Sequence, residues 1–514
     1  MGRDVFYITT PIYYPNDVPH IGHAYNAVAT DFIARHHRLR GEEVVHLTGT
    51  DEHGLKLQRA AEAAGVSPQR WVDDMAPRWK EVWARLDIAY DDYIRTTEPR
   101  HEAAVQAILT AVHDNGRDDI YLGQYEGWYC VACEAYYTEE ELLPGHLCPI
   151  HERPVELLEE ENYFFRLSAY SERLLAHYEA HPEAVEPESR RNEVLSTIRG
   201  GLQDFSVSRT SFDWGVRLPW DEKHICYVWF DALTNYITAA GYGVDEARFA
   251  RLWPANIHSI GKDILRFHAI YWPAMLMAAG LEPAMQVWAH GFLTVGGKKM
   301  SKTNATGIHP FELLDHFGVD SYRYYFMREM SFGQDGSFSW ESMTERHNAD
   351  LANGLGNLAS RVLAMLASNT GGEVPEATVE GAEDDLPVVI ADALHRYDEH
   401  MLAVQLQPAL VALWEIVDRA NKYLVEQAPW KLAKDPANRE AVASILYAVA
   451  ETLRALAIAV TPIMPSAAAR LWGQLGIDAP IGEQRLADAS AWGGLVPGTR
   501  TTKGDGLFPR LESA

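Results

Sequence analysis

Residues 9–23 read TTPIYYPNDVPHIGH, and the fold turns on how this stretch is placed. Before it, Val5 to Thr9 is a short β-like run. After it, Ala24 to Leu39 sets Val28, Phe32 and Ile33 at helical spacing, so the stretch joins a strand to a helix start. The first turn of a helix presents backbone N–H groups with no intrahelical partner and a partial positive charge, which suits a phosphate. His20 and His23, one turn apart, add imidazole donors to the same place.

The same grammar repeats outward. Val44 to Thr48 (VVHLT) reads as a strand running into GTDEHG and a helix over 55–65. Two strand–loop–helix units predict a parallel α/β sheet with its ligand at the strand ends. Helical patterns follow over 67–86 and 99–115. Residues 121–155, rich in aromatics, cysteines and turns, read as an insertion. The α/β pattern resumes with expected strands at 224–230, 257–260 and 287–293, the first leading into a helix over 231–240. Residues 296–336 are loop-rich. Helical spacing then runs through 343–368, 385–407, 408–426, 441–460 and 465–475, which predicts an α-helical bundle. The tail from Ala491 reads as an extended segment docked on the surface.

A chain of 514 residues is too long for one core, and 47% hydrophobic with 23% charged residues is ordinary globular composition. A formal net charge of −27 disfavours nucleic acid on average, so any such contact needs a local basic patch. No secretory signal precedes Pro11, and Phe6 stands where a myristoylation motif needs Ser or Thr. The apolar run 269–281 is too short to span a bilayer and contains Pro273. Four cysteines make no disulfide framework, which predicts a cytoplasmic protein with no membrane role.

Two constellations carry chemistry. Cys130 and Cys133 are spaced C-x2-C, and after fourteen residues Cys148 and His151 follow as C-x2-H. Two such turns close a tetrahedral zinc site with no open position, so the metal would be structural. Cys226, in an apolar run, reads as core. The second constellation is Gly296 to Thr303 (GGKKMSKT), a glycine-led loop with three lysines. In an acidic chain its natural partner is a polyphosphate.

HIGH at 20–23 together with KMSKT at 299–303 resembles the paired signatures of class I aminoacyl-tRNA synthetases. TTPIYYPNDVPHIGHAY, GTDEHG, the Cys/His knuckle, YVWFDALTNY, GKDILRFHAIYWP, NLASR and EQAPW resemble methionyl-tRNA synthetases, in order along nearly the whole chain.

The resemblance implies a Rossmann-type catalytic domain (residues 1–117 and 222–295) interrupted by a connective insertion with the zinc knuckle (118–221). A lysine-loop and stem-contact region (296–345) and an anticodon-binding bundle with its tail (346–514) would follow. It implies that L-methionine and ATP form methionyl-adenylate and that the methionyl group passes to tRNA(Met). His20 and His23 would bind ATP phosphates, with Gly22 beside the adenine; Lys302 would grip the pyrophosphate with Lys299 assisting, and Ser301 would also bind ATP. Magnesium would arrive with the ATP. Asp51, Ile12, Tyr14, Trp229, Ala232, Leu233, Tyr236, Ile264, His268 and Trp272 would form the methionine pocket. His268 and Tyr236 would turn polar groups to the sulfur. Asn357, Arg361 and Trp430 would read the anticodon. One knuckle implies one zinc, and the end of the sequence soon after the bundle implies a monomer. A cysteine-specific relative, a nucleotidyltransferase that never meets RNA, and a non-enzymatic RNA-binding module are the alternatives. The closed metal set, the NLASR-containing bundle, and intact His20, His23 and Lys302 argue against them in turn.

Overall fold

The computed structural model describes residues 5–137, 139–295, 298–299, 308–376 and 385–512. They form two compact units. One comprises Met1–Pro19, Val44–Ala84 and Ala89–His290; the other comprises His20–Glu43, Arg85–Ile88 and Gly291–Ala514.

The first unit is built on β1 (Val5–Tyr13), β2 (Glu43–Thr50), β3 (Asp92–Arg95), β7 (Val185–Glu186), β12 (Ile257–Gly261) and β13 (Val287–His290), ordered β3-β2-β1-β12-β13-β7. The pairs β2–β3, β1–β12, β12–β13 and β13–β7 are parallel. β1 and β2 are buried along nearly their whole length, as expected of strands covered on both faces. Strand order reverses between β1 and β12, and a doubly wound sheet binds ligands at the carboxyl ends of strands beside such a switch point. Tyr14, Asp51 and Lys262 directly follow β1, β2 and β12.

The insertion rises on a long antiparallel pair, β4 (Ile120–Cys130) and β6 (Glu156–Phe165), in register from Ile120 opposite Phe165 to Tyr129 opposite Glu156. β5 (Ala135–Tyr137) and β8 (Phe205–Ser206) complete that sheet. The segment also lends β7 to the parallel sheet.

Three expectations need revision. The run at 224–230 is not a strand of the parallel sheet. β11 (Asp221–Cys226) pairs antiparallel with β9 (Ser208–Arg209) and β10 (Arg217–Leu218), and helix begins at Val228. A continuous apolar run hides the junction, because periodicity cannot separate a buried strand from a buried helix. The strand expected at 287–293 stops at His290. Gly291 passes so close to the backbone of Gln334 that an added Cβ would lie 2.2 Å from it. Leu293–Val295 then joins another sheet, with Lys298–Lys299 and Gly336–Phe338. Finally, helix is not uniform at 264–272 or 343–368. Phe267–Tyr271 and His347–Gly356 are π-helical, a widening that favours functional positions.

The second unit is mainly helical. Its bundle helices are Asn357–Asn369, Leu386–Leu402, Leu406–Gln427, Arg439–Ala459 and Pro465–Gln474. The segment 436–459 is long and apolar enough to cross a membrane, but 89% of its window is buried, as befits a bundle core. The tail is fixed by Glu451, which accepts the backbone N–H groups of Gly493, Gly494 and Leu495, and by buried Leu495, Leu507 and Phe508.

Helix α1 (Ile21–Leu39) belongs to this second unit. Its Asp31 receives Nη2 of Arg323 at 2.6 Å, both side chains being fully buried. The other Arg323 nitrogens donate to the carbonyls of Ile463, Leu86 and Asp87, and Nη2 also reaches Pro462. Farther along α1, His36 Nε2 lies 2.9 Å from Asp398 Oδ1 in helix Leu386–Leu402, and Arg40 pairs with the same carboxylate.

Candidate functional site

In the second unit, His20 caps α1. Its Nδ1 accepts Gly22 N–H at 3.1 Å, while His23 Nδ1 accepts His20 N–H at 3.3 Å. The two rings stack with centroids 3.7 Å apart. Because each Nδ1 acts as an acceptor, a neutral ring carries its proton on Nε2. The cap thus fixes the tautomer that makes each histidine a donor through Nε2. Ile21 N–H donates to Ile308 O at 3.3 Å, so the chain emerging from the lysine signature returns to this helix start. Lys299 lies in the Lys298–Lys299 strand, where it faces Thr294. Ser301 and Lys302 lie outside the described residues.

In the first unit, Asp51 N–H donates to Tyr13 O at 2.9 Å, which carries the Asp51 carboxylate to the end of β1. That carboxylate is buried, and among the described residues Oδ1 has no hydrogen-bond partner. Burial, reinforced by Asp231 and Glu134, pushes the Asp51 carboxyl well above the usual carboxylate range. The buried hydroxyl of Tyr14 likewise has no partner among the described residues. Lys56 Nζ sits 4.4 Å from the centre of its ring. A buried carboxyl group whose Oδ1 has no hydrogen-bond partner among the described residues is suited to receive an ammonium, which would draw it back to the charged form.

Ile12, Tyr14 and Ile264 pack half-buried against a cluster containing Trp229, Leu233, Tyr236 and Trp272. Trp229 stacks on Phe267 at 3.7 Å with the rings 2° from parallel. The helix bearing Trp229 and Ala232 ends at Leu233 and the next, bearing Tyr236, starts at Asn235, with Thr234 between them in the αR region. Tyr236 Oη lies 2.7 Å from His268 Nε2, and His268 Nδ1 lies 3.0 Å from the Ile264 carbonyl. The carbonyl can only accept, so Nδ1 bears the proton and Tyr236 donates to Nε2. The two polar groups therefore satisfy each other instead of offering separate protons to a sulfur. Burial lowers His268 to about 4, which keeps the ring neutral.

The knuckle brings its four ligands together. One donor atom from each of Cys130, Cys133, Cys148 and His151 lies within 4.8 Å of all the others. Cys133 Sγ and Cys148 Sγ are 3.8 Å apart, as are Cys148 Sγ and His151 Nδ1. A tetrahedron with ligands about 2.3 Å from its centre has edges of about 3.8 Å, so the residues present fit zinc. The residue after each C-x2 pair turns the chain alike: Glu134 has φ 51° and Glu152 has φ 52°. The knuckle also touches Lys56 and Trp229. Buried Glu134 accepts Lys56 N–H at 2.6 Å, and Trp229 Nε1 donates to Cys133 O at 3.3 Å.

In the bundle, Asn357 is exposed at the start of its helix. One turn on, the Arg361 guanidinium lies 5.3 Å from the centre of the Trp430 ring, and Trp430 is 41% exposed. The structure thus brings Arg361 and Trp430 together on one surface.

Sequence reasoning missed Glu52, His53, His101, His258 and Asp231, all buried. Glu52 and His53 stood in the GTDEHG motif, and Asp231 stood alone among apolar neighbours in VWFDAL. An isolated charge in such company was the available signal.

Comparison with known proteins agrees along the whole chain. A family model described as tRNA synthetases class I (M) matches residues 6–154 and 143–363, and one described as the anticodon binding domain of methionyl tRNA ligase matches 374–514. The methionine–tRNA ligase of Streptomyces coelicolor is 53% identical over 99% of this chain and 97% of its own length. That of Mesorhizobium japonicum is 49% identical over 99% and 98%. Mycobacterium tuberculosis methionyl-tRNA synthetase in complex with methionyl-adenylate superposes with a TM-score of 0.94 at 45% identity, covering 99% of this chain and 100% of that one. Its apo form gives 0.87 at 42% identity, covering 99% of each.

Proposed function

The chain belongs to the methionyl-tRNA synthetase family of class I aminoacyl-tRNA synthetases, and from this premise we propose how its residues divide the work. It is a methionine–tRNA ligase. It activates L-methionine with ATP to methionyl-adenylate and pyrophosphate, then transfers the methionyl group to the 3′-terminal adenosine of tRNA(Met).

Adenylate formation needs no protein nucleophile. The methionine carboxylate attacks the α-phosphorus in line, the P–O bond to the leaving group breaks, and pyrophosphate departs. The protein contributes alignment and charge stabilisation. Asp51 takes the ammonium. Ile12, Tyr14, Trp229, Ala232, Leu233, Ile264 and Trp272 enclose the thioether chain, for which sulfur–aromatic contacts are favourable. Tyr236 and His268, closed on one another, present a rigid and nearly neutral wall.

His20 and His23 donate through Nε2 to the ATP phosphates, beside the backbone N–H groups of the helix start. Gly22 leaves room for the base. Lys302 grips the departing pyrophosphate with Lys299 assisting and Ser301 also binding the ATP; magnesium held by the ATP phosphates would supply further charge screening. Zinc bound by Cys130, Cys133, Cys148 and His151 would hold the two knuckle turns together and so support the Cys133–Glu134 contact with the pocket. Asn357, Arg361 and Trp430 read anticodon bases by stacking and hydrogen bonding. A cytoplasmic location suits four cysteines of which none forms a disulfide.

The observation that carries the pocket assignment is the buried, unpartnered Oδ1 of Asp51. Methionine-dependent ATP–pyrophosphate exchange tests it. Asp51→Asn should raise the methionine KM at least about tenfold, the worth of a charge-assisted hydrogen bond, with the ATP KM nearly unchanged. Equal damage to both would remove Asp51 from the ammonium site.

A further inference from the structure

The Asp51 turn is tied to the pocket helix by a buried carboxylate held between two histidines. His53 Nδ1 lies 2.6 Å from Asp231 Oδ2, and His101 Nε2 lies 2.7 Å from Asp231 Oδ1. The side chains of Asp231 and His101 are fully buried, and that of His53 is 5% exposed. The three come from separate elements. His53 is two residues beyond Asp51, His101 is on helix Pro99–His113, and Asp231 is on helix Val228–Leu233 between Trp229 and Ala232. On the far side, His101 Nδ1 meets Thr238 Oγ1 at 3.1 Å, and Thr238 donates in turn to the Thr234 carbonyl.

The rest of the turn is held equally firmly. Trp214 packs edge-on against His53, and its indole N–H donates to the Glu52 carbonyl at 2.6 Å. The Glu52 carboxylate accepts from Thr50, Arg95 and Thr97. Among the described residues, every polar atom named in this turn has a partner except Oδ1 of Asp51.

A carboxylate buried among apolar residues costs several kcal/mol unless it is paired, and a plain hydrophobic contact would join the same elements without that cost. The Asp231 pairing therefore has a reason beyond packing. It fixes distance and direction, which apolar contacts do not. Asp51 must meet the ammonium while Trp229, Ala232 and Leu233 meet the other end of the same small molecule, and these residues lie on different elements. Asp231 is also one of four charged groups that act on Asp51, with Glu134, Glu52 and the opposing Lys56, so its pairing with histidines contributes to the field felt by the ammonium ligand.

We infer that His53 and His101 are positioning residues for methionine recognition: through Asp231 they hold the Asp51 carboxylate in register with the side-chain pocket. This rests on the assignment of Asp51 to the ammonium.

The test compares Asp51→Asn, His53→Phe, His53→Asn and His101→Asn by methionine-dependent exchange, with methionine affinity measured directly by equilibrium dialysis. His53→Phe keeps the bulk but loses the donor. It should raise the methionine KM about tenfold while the ATP KM moves less than about twofold, the pattern of a misplaced binding group. His53→Asn supplies an N–H in place of Nδ1 and should recover most of that loss. A merely structural role predicts parallel losses for both substrates and no rescue by Asn. If His53→Phe does not fold, His101→Asn, whose amide does not reach Asp231, serves as the loss variant and His101→Gln, which supplies an N–H at the Nε2 position, as the rescue. Unchanged methionine affinity in the folded histidine variants, with Asp51→Asn impaired, overturns the inference alone. Unchanged affinity in Asp51→Asn overturns the ammonium assignment and the inference with it.

Discussion

Asp51 and His268 show what burial does to a titratable group with and without a partner. Asp51 is kept ready for a cation because its Oδ1 has no hydrogen-bond partner among the described residues. His268 is kept neutral because both its nitrogens are engaged and water is excluded. The latter has a consequence for stability. His268 titrates at about 4 in the folded protein against 6.5 in an unfolded chain, so between those values the unfolded state binds more protons. Its contribution to stability is complete above 6.5 and is lost as pH falls toward 4. His258, lowered further by burial, acts in the same direction. His268→Gln should therefore flatten the dependence of unfolding free energy on pH between 7 and 4.5, measured by denaturant titration. Superimposable pH profiles would contradict this. The identities of both residues were legible in GTDEHG and in the GKDILRFHAIYWP run. The Tyr236–His268 closure was not, because hydrogen-bond direction depends on the Ile264 carbonyl, which ends a 3-10 turn just before the π-helical segment that carries His268, a change of winding that no spacing rule reveals.

At the scale of elements, α1 and its anchor decide where the histidine signature sits. Pattern and capping residues made the helix itself legible. Its attachment was not, because Asp31 and Arg323 are 292 residues apart and neither interrupts its apolar pattern in a telling way. The guanidinium satisfies a carboxylate and four carbonyls at once. Removing one partner leaves the other buried with its charge uncompensated. Arg323→Met should destabilise the second unit by about 3 kcal/mol, at the low end for a broken buried pair because Arg35 still reaches Asp31. Combining it with Asp31→Asn should cost less than the sum of the two single changes. Denaturant titration followed by helical circular dichroism measures both, and a loss below about 0.5 kcal/mol, the level of an ordinary surface substitution, would show that Arg323 does not anchor α1. The zinc knuckle was the most legible element of all, since ligand spacing alone dictates its two turns.

For the whole molecule, a net charge of −27 and an RNA substrate are compatible only if cations are local. Arg361 lies beside Trp430, and exposed Lys431 and Lys434 follow it in sequence. Trp430→Ala should leave methionine-dependent exchange intact while reducing tRNA charging at least about tenfold, in line with about 1–3 kcal/mol for one stacked base. Equal loss in both reactions would take Trp430 out of RNA recognition. The linear order of motifs made the catalytic and helical portions readable in the sequence. The division into compact units was less so, since residues 20–43 pack with the C-terminal half through contacts that only the folded chain brings together. The central claim is activation of methionine by this set of residues. The measurement that tests it most directly is ATP–pyrophosphate exchange with each of the twenty amino acids in turn. Rapid exchange with methionine, and at most slow exchange with any other, is the predicted result; exchange led by another amino acid, or none with methionine, would contradict it.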